Sequence, residues 1–347
     1  MNVIHGLPYS QEFKLVQRYS RNMSRGEVNG RIARPKQITC RLVIACLLQV
    51  FCFHSSIAAP GLEPYITVHF PNSEIGQYCQ IKPGKSYAYD RQLTDYRAAQ
   101  GTVNIPSENR LSLKLGYFGH DNTALLKTIP VPMLRNLELA KMEVGNADFQ
   151  NLLRFTDLIG LDMSGTDVDD KGTKGLRNLT KLQKLDVSYC PIGLPTVAEI
   201  SNLKDLLRLH FGSNTLGDEA GPMLAKLKRL EVLELSTTHI TDNCVSQLIG
   251  LSELRELSLP RNAVTDKCID SILKLKHLTR INLADTKVTF AGMMRLKQLP
   301  ELHHLLLRKA HLSAEQLKLL QKQLPKVTIE EGTKAKDFDL EIFDPLH

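Results

Sequence analysis

The sequence lacks the patterns that usually carry metal binding or catalysis. It has seven cysteines but no CxxC pair and no Cys/His cluster, so an ordinary zinc site is not expected. It also lacks a nucleophile elbow, a phosphate-binding glycine loop and an HExxH motif. Histidines that could act as bases stand at His210, His239, His303, His304 and His311 without such a motif beside them. We therefore expect no enzymatic activity, no cofactor and no metal.

Positive charge is concentrated at the beginning of the chain. The formal net charge is +7, but residues 1–41 contain eight basic and two acidic residues and so account for +6 of it. The rest of the chain carries +1. Phosphate binding depends on clustered cations, so nucleic acid is not an expected partner.

A basic segment, an apolar run and small residues follow one another near the amino terminus, as in a secretory signal. The apolar run at 42–53 has about a dozen residues, whereas a membrane-spanning helix needs about 20. Ser56, Ala58 and Ala59 follow it, and we expect cleavage after Ala58 or Ala59. The chain is therefore predicted to be exported to the periplasm, the extracellular space or the cell surface.

Alternatives to this signal stay open. Residues 42–53 could form an uncleaved amino-terminal anchor, which would be the one membrane contact expected, or a buried helix. Residues 43–46 resemble a bacterial lipoprotein box, but most of the apolar stretch follows Cys46 instead of preceding it. Translation from Met23 would shorten the basic region.

Apolar residues recur every 24 residues from residue 134 onward. A first leucine is followed three residues later by a second apolar residue and two residues later by a third, which gives LxxLxL eight times. The first leucines are Leu134, Leu158, Leu182, Leu206, Leu230, Leu254, Leu278 and Leu302. A fixed repeat of about 20 to 29 residues with this pattern predicts stacked repeats, each built as strand, turn and short helix.

Two polar positions also recur. An Asn or Thr slot after each strand, as at Asn214 and Thr238, is expected to hydrogen-bond the buried turn backbone. Acids precede several helices and are interpreted as amino-terminal caps, with a metal-binding carboxylate ladder as the alternative. These acids are Asp170, Asp218, Asp242 and Asp266.

These repeats resemble the leucine-rich repeat family, and the sequence ITDNC at 240–244 is similar to repeats of F-box-type and bacterial secreted members. The resemblance covers 134–329. It implies an α/β solenoid with parallel strands on a concave face and short helices on a convex face, serving as a binding scaffold. A cytosolic adaptor of the ubiquitin-ligase type is the alternative if the signal is misread, although no F-box-like segment is apparent before the repeats.

The predicted organisation has four parts. They are a targeting segment at 1–59, a cap region at 60–133, the repeat domain at 134–329 and a tail at 330–347. Within the cap, residues 64–71 read as a strand and residues 86–99 as an amphipathic helix.

A β-hairpin is predicted at the end of the cap region. Apolar residues alternate at 103–105 and again at 111–115, and a turn at 106–109 separates them. Leu113 lies 24 residues before Leu137, so the second strand should continue the register of the repeats.

Four cysteines lie outside the predicted signal: Cys79, Cys190, Cys244 and Cys268. We interpret them as small buried hydrophobic residues. A disulfide between Cys244 and Cys268 of adjacent repeats is the alternative, although neighbouring helices usually exceed the roughly 4.4 to 6.8 Å that the bond allows between Cα atoms.

Side chains between the inward leucines are expected to project from the concave face, where a partner would bind. Four acids in five repeats make the first half of this face acidic, with Lys184 and Arg208 near enough to offset their repulsion, and the second half is basic. The predicted partner-binding residues are Glu138, Asp162, Asp186, Tyr189, Arg208, His210, Glu234, Arg280, His304 and Arg308. Opposed polarity would orient an extended ligand. The alternative is a solvated polar sheet whose charges pair internally.

Together these features predict an exported, non-enzymatic scaffold that binds a protein or peptide partner on its concave face. The alternative is a structural component of an envelope or matrix that packs through its convex helices. Lysines such as Lys226 and Lys274 would then matter more than the concave face.

Overall fold

A computed structural model of the chain describes residues 65–70, 72, 74, 76–83, 95–116, 126–127, 129–310 and 312–331. The chain divides into two units, Met1–Leu62 and Glu63–His347, and all described residues belong to the second. The predicted signal, most of the predicted helix at 86–99 and residues 332–347 of the tail lie outside the described residues.

Strands dominate the described part of the chain. They are β1 (Tyr65–His69), β2 (Gly76–Ile81), β3 (Arg97–Ala98), β4 (Thr102–Pro106), β5 (Arg110–Leu115), β6 (Leu134–Glu138), β7 (Gly160–Asp162), β8 (Lys184–Asp186), β9 (Arg208–His210), β10 (Val232–Glu234), β11 (Glu256–Ser258), β12 (Arg280–Asn282), β13 (His304–Leu306) and β14 (Thr328–Glu330). Strands β5 to β14 lie side by side in chain order, and β2 and β3 extend the same sheet beyond β5.

Adjacent repeat strands pair in the register that the 24-residue period predicts. Leu161 of β7 pairs with Leu185 of β8, and Leu257 of β11 pairs with Ile281 of β12. All four side chains are fully buried, because alternation along each strand turns them inward. The predicted solenoid of parallel strands and short helices is confirmed.

The cap contains both strands of the predicted hairpin, but they do not pair with each other. Strand β4 pairs antiparallel with β1, whereas β5 pairs antiparallel with β2 and parallel with β6. The pairing prediction was wrong because apolar alternation identifies a strand without identifying its partner. The predicted register is confirmed, since Leu113 of β5 pairs with Leu137 of β6.

The outer edge of the cap differs from the sequence prediction in one further place. Arg97–Ala98, at the end of the predicted helix, is strand β3, which pairs with β2. Gly76 permits the close approach of β2 to β5: its φ is +148°, and a Cβ there would lie 2.1 Å from the Lys114 carbonyl oxygen.

The helices on the other side of the solenoid are short. They are α1 (Asn146–Leu152), α2 (Leu194–Ile200), α3 (Gly221–Leu224), α4 (Asp242–Gln247), α5 (Cys268–Ile272), α6 (Phe290–Arg295) and α7 (Ala314–Gln323). Among the helices described, none combines the length and apolar character that crossing a membrane requires.

The acids that were expected to cap their own helices instead hold the repeat that follows. Asp218 accepts hydrogen bonds from the Thr241 N–H at 2.7 Å, the Thr241 hydroxyl at 2.6 Å and the Cys244 N–H at 3.2 Å, at the start of α4. Asp242 and Asp266 accept from Thr265 and Thr289 at the position of Thr241, and Asp170 accepts from the N–H groups of Gly193 and Thr196. We call these four residues the clamp carboxylates. Stacking, and not sequence proximity, selects the backbone groups that they satisfy.

The Asn and Thr slot acts as predicted. The Asn214 side-chain amide donates to the carbonyl oxygens of Val187 at 2.9 Å and Phe211 at 3.1 Å. Asn262 repeats the arrangement with Leu235 and Leu259. Each Asn therefore satisfies turn backbone in its own repeat and in the preceding one.

The cysteines outside the predicted signal are small core residues, as predicted. Cys79, Cys190, Cys244 and Cys268 are all buried and free, so the alternative disulfide is not formed. Burial, helped by the negative charge of Asp218, raises the pKa of Cys244 to about 12. Such a thiol is a poor nucleophile.

Candidate partner-binding groove

Three columns of side chains cross the concave face, because alternate residues of a strand point to the same side of a sheet. The middle column holds Glu138, Asp162, Asp186, His210, Glu234, Ser258, Asn282 and Leu306. The column before it holds Asn136, Gly160, Lys184, Arg208, Val232, Glu256, Arg280 and His304. The column after it, at the carboxyl ends of the strands, holds Ala140, Ser164, Ser188, Gly212, Ser236, Pro260, Ala284 and Arg308.

Serines of the third column hold the acids of the middle column. Asp162 accepts hydrogen bonds from the backbone N–H of Ser164 at 2.9 Å and from its hydroxyl at 2.7 Å. Asp186 accepts one from the Ser188 N–H at 2.8 Å, and its other oxygen lies 3.4 Å from Nδ1 of His210. These contacts fix the carboxylates in the face instead of leaving them to solvent.

Burial is the largest departure from the predicted site. Arg208 and Lys184, predicted to offset the acids from an accessible position, are only 3% and 2% exposed, and each takes part in a polar interaction. Glu138 forms an ion pair with Lys114 of the cap strand β5 at 3.0 Å. The repeats pack their concave side chains closely enough to exclude most water from this part of the face.

Two carboxyl groups of the middle column are electrostatically unfavourable as anions. Glu234 is 8% exposed, and burial raises its pKa to about 7 despite the opposing influence of His210. Burial and the negative charge of Asp186 raise the pKa of Asp162 to about 6. A cation brought to this place would favour the ionised forms of both groups.

Two buried polar atoms of the middle column have no hydrogen-bond partner among the described residues. They are Nε2 of His210 and the hydroxyl oxygen of Ser258, in side chains that are 3% and 2% exposed. Because Nδ1 of His210 faces the Asp186 carboxylate, Nε2 is the acceptor nitrogen of the neutral ring. Both atoms can therefore accept a hydrogen bond from an occupant.

These side chains line a groove of about 330 Å³ at the carboxyl ends of the strands. Asp186, His210 and Glu234 form its acidic part, and Tyr189 stands at the rim. Arg261 and Arg308 line the opposite part. The structure thus brings five of the predicted site residues to one groove, in the order of charge that the sequence suggested.

Tyr189 is an exposed large hydrophobic side chain in the lining of the groove. It is 69% exposed, and its backbone has a φ of 57° in the left-handed region. The same slot is left-handed in every repeat and holds glycine at Gly165 alone, so the other repeats accept the steric cost of a side chain there. An exposed aromatic ring on such backbone has no evident folding role.

The basic half is less uniform than predicted. Arg280 and His304 lie half-buried in the column before the middle one, away from the groove lining. Nη1 of Arg280 lies 3.6 Å from Oε2 of the buried Glu256. Arg308 lines the groove, as does Arg261, which is exposed and has no ion pair with another described residue. The groove cations of this half among the described residues are therefore the exposed Arg261 and the half-buried Arg308, which also takes part in another interaction.

Sequence reasoning missed the hydroxyl groups of the third column. Ser164, Ser188 and Ser236 follow an acid at a spacing of two in three repeats, and each hydrogen-bonds that acid through its backbone N–H. The recurring Asp-x-Ser or Glu-x-Ser spacing was the available signal. Within the described residues, no group of three or more His, Cys, Asp or Glu side chains is arranged to hold a metal ion.

A family model described as a leucine-rich repeat matches residues 178–195, which include strand β8 and its turn. That segment stacks in the 24-residue register with the other repeats. The chain thus matches the leucine-rich repeat family in this segment and has the solenoid fold of that family. Members of this family are typically non-enzymatic scaffolds that bind protein partners.

Several solved leucine-rich repeat structures are similar. An internalin (inlF) from Listeria monocytogenes shares 22% identity over 58% of this chain and 55% of its own, with a TM-score of 0.48. An internalin C2 (inlC2) from the same organism shares 23% sequence identity over 55% of this chain and 77% of its own, with a TM-score of 0.46. A leucine-rich repeat protein of Leptospira interrogans shares 24% sequence identity over 57% of this chain and 61% of its own, with a TM-score of 0.41. This chain thus spans about half the length of the first. No curated protein matches it.

Proposed function

We propose that this leucine-rich repeat protein is an exported scaffold that binds a protein or peptide partner in the groove on its concave face. The observation that carries the proposal is Tyr189, a 69% exposed aromatic ring on left-handed backbone beside buried polar groups. Exposed aromatic anchors beside desolvated polar groups are typical of binding hot spots.

Capture of partners by the full chain tests this proposal. Tyr189→Ala should reduce the recovered partner at least tenfold, because truncation of an aromatic hot spot commonly costs about 2 kcal/mol of binding. Tyr65→Ala is the matched control, since Tyr65 is also exposed (51%) but lies in β1 of the cap. Equal recovery by the wild-type protein and both variants would contradict a groove-centred function.

Export rests on the order of basic, apolar and small residues before residue 60. Mass spectrometry of the mature protein from its native source is the test. We expect an amino terminus just after Ala58 or Ala59. An intact terminus at Met1 or Met23 would contradict cleavage and would favour the anchor or the cytosolic adaptor.

The convex charges give less support to the structural alternative. Arg229 pairs with Asp205 at 2.6 Å, and Lys228 donates to the Gly250 carbonyl oxygen at 3.3 Å. Charges that are paired within one chain offer less to lateral packing than an exposed ring offers to a partner. Capture that returns only further copies of this chain would nevertheless favour the structural role.

A further inference from the structure

The two parts of the groove differ in the chemistry that they offer to an occupant. One part presents acceptors: the carboxylates of Asp186 and Glu234, Nε2 of His210 and the Ser258 hydroxyl. The last two atoms are in buried side chains and have no partner among the described residues, so a donor that reaches them replaces a hydrogen bond that the protein does not supply.

The other part presents cations. Arg261 and Arg308 line the groove, and Arg261 is exposed with no ion pair to another described residue. A guanidinium group binds a carboxylate in a two-pronged geometry that neutral side chains do not offer. An acidic group of an occupant is therefore favoured here and disfavoured beside Asp186.

Lys141 also lines the groove, and its charge limits what the acidic part can attract. Lys141 follows β6, three strands before the centre of the acceptor set on β9, which corresponds to roughly 14 Å. The carboxylates of Asp186 and Glu234, on either side of β9, are one strand away. A donor seated over His210 is thus closer to both acids than to this lysine.

The spacing between the two parts follows from the sheet. Asp186 and Glu234 centre on β9, whereas Arg261 and Arg308 belong to the repeats of β11 and β13 and centre on β12. Three strand spacings of about 4.8 Å give about 14 Å, and an extended peptide advances about 3.4 Å per residue. Groups that fill both parts therefore lie about four residues apart.

We propose that the groove selects an extended peptide segment with a basic residue and an acidic residue about four positions apart, the basic one seated over Asp186, His210 and Glu234 and the acidic one over Arg261 and Arg308. This inference rests on the proposed function and specifies its ligand. The ring of Tyr189 stands at the rim beside the basic residue, where it can add a cation–π contact.

Selection of random dodecapeptides displayed on phage, with the full chain as bait, tests the inference. The wild-type protein should enrich peptides that carry Lys or Arg three to five positions from Asp or Glu. The double variant Arg261→Glu, Arg308→Glu should replace the selected acid with Lys or Arg, because it reverses the charge that faces it. Asp186→Asn should weaken the selection for the basic residue, since the amide keeps the shape without the charge.

Binding of a synthetic peptide from this selection then gives a magnitude. Replacing either its basic or its acidic residue with Gln should weaken binding to the wild-type protein about tenfold, as followed by fluorescence anisotropy. Lys276→Glu, at an exposed residue outside the groove lining, is the charge-reversal control and should leave both selection and affinity unchanged. Thermal melting checks that each variant is folded.

The outcomes separate this inference from the function on which it rests. Peptides that need Tyr189 but carry no spaced charge pair would overturn the charge-pair inference and leave a concave-face scaffold in place. A selection unaffected by reversal of Arg261 and Arg308, or one that enriches no peptide, would also overturn it. The capture experiment with Tyr189→Ala decides the proposed function independently.

Discussion

The carboxylates of this solenoid fall into two sets that the same fold treats in opposite ways. Each clamp carboxylate accepts hydrogen bonds from the start of the next repeat, and at Asp218 these bonds outweigh partial burial and lower the pKa. In the groove, burial dominates and raises the pKa of Glu234 to about 7. As an anion, Asp218 therefore lowers the free energy of the folded chain, whereas Glu234 raises it. A position that costs stability as an anion is a better candidate for binding than one that secures the fold.

Removal of a clamp carboxylate should give the largest change. Asp218→Ala leaves two backbone N–H groups and the Thr241 hydroxyl without their acceptor, so we expect the free energy of unfolding to fall by about 3 kcal/mol at pH 7. Urea denaturation measures this change. Asp218→Asn keeps one acceptor oxygen and should cost less, and Glu219→Ala, at the exposed neighbouring acid, should cost little. Equal effects of Asp218→Ala and Glu219→Ala would remove the distinction between the two sets.

The groove acid should respond in the opposite direction. In the unfolded chain Glu234 loses its proton near pH 4.5, whereas in the folded chain it does so near pH 7. The folded state therefore holds the additional proton between these values, and its stability declines as pH rises through that interval. Glu234→Gln cannot ionise, so the variant should exceed wild type by about 2 kcal/mol at pH 8 and match it near pH 4. Denaturation at both pH values provides the measurement, and a variant less stable than wild type at pH 8 would contradict the assignment.

A smaller effect of the same sign is expected at Asp162. Its carboxyl is partly buried beside Asp186 and has a pKa of about 6, against 3.8 in an unperturbed group. Asp162→Asn removes the repulsion and retains an oxygen that can accept from Ser164, so stability at pH 8 should rise by about 1 kcal/mol. Combining it with Glu234→Gln should also reveal coupling through Asp186 in a double-mutant cycle. A loss of stability would show that the anion is paired instead.

Much of the fold could be read from particular residues. The 24-residue period that includes Leu134 and Leu158 predicted the strand register. The Asn or Thr slot at Asn214 predicted the side-chain hydrogen bonds to the buried turn backbone. Both are local patterns repeated without insertion, which leaves one consistent stacking. The prediction that β4 and β5 pair as a hairpin was wrong, because strand pairing in the cap is not periodic and apolar alternation alone does not select a partner strand. The candidate site was anticipated by residue type, but its burial and hydroxyl contacts were not.

The sequence by itself determined that this protein is a solenoid, because a 24-residue apolar period can bury its leucines only by stacking one repeat on the next. It also determined which charges share a face. Only the tertiary structure decided what those charges do. The distance between stacked repeats places Asp218 against the backbone of the next helix and seals Glu234 and His210 beneath the groove. Hydrogen bonding and desolvation, which depend on neighbours 24 residues away, set the behaviour of each group.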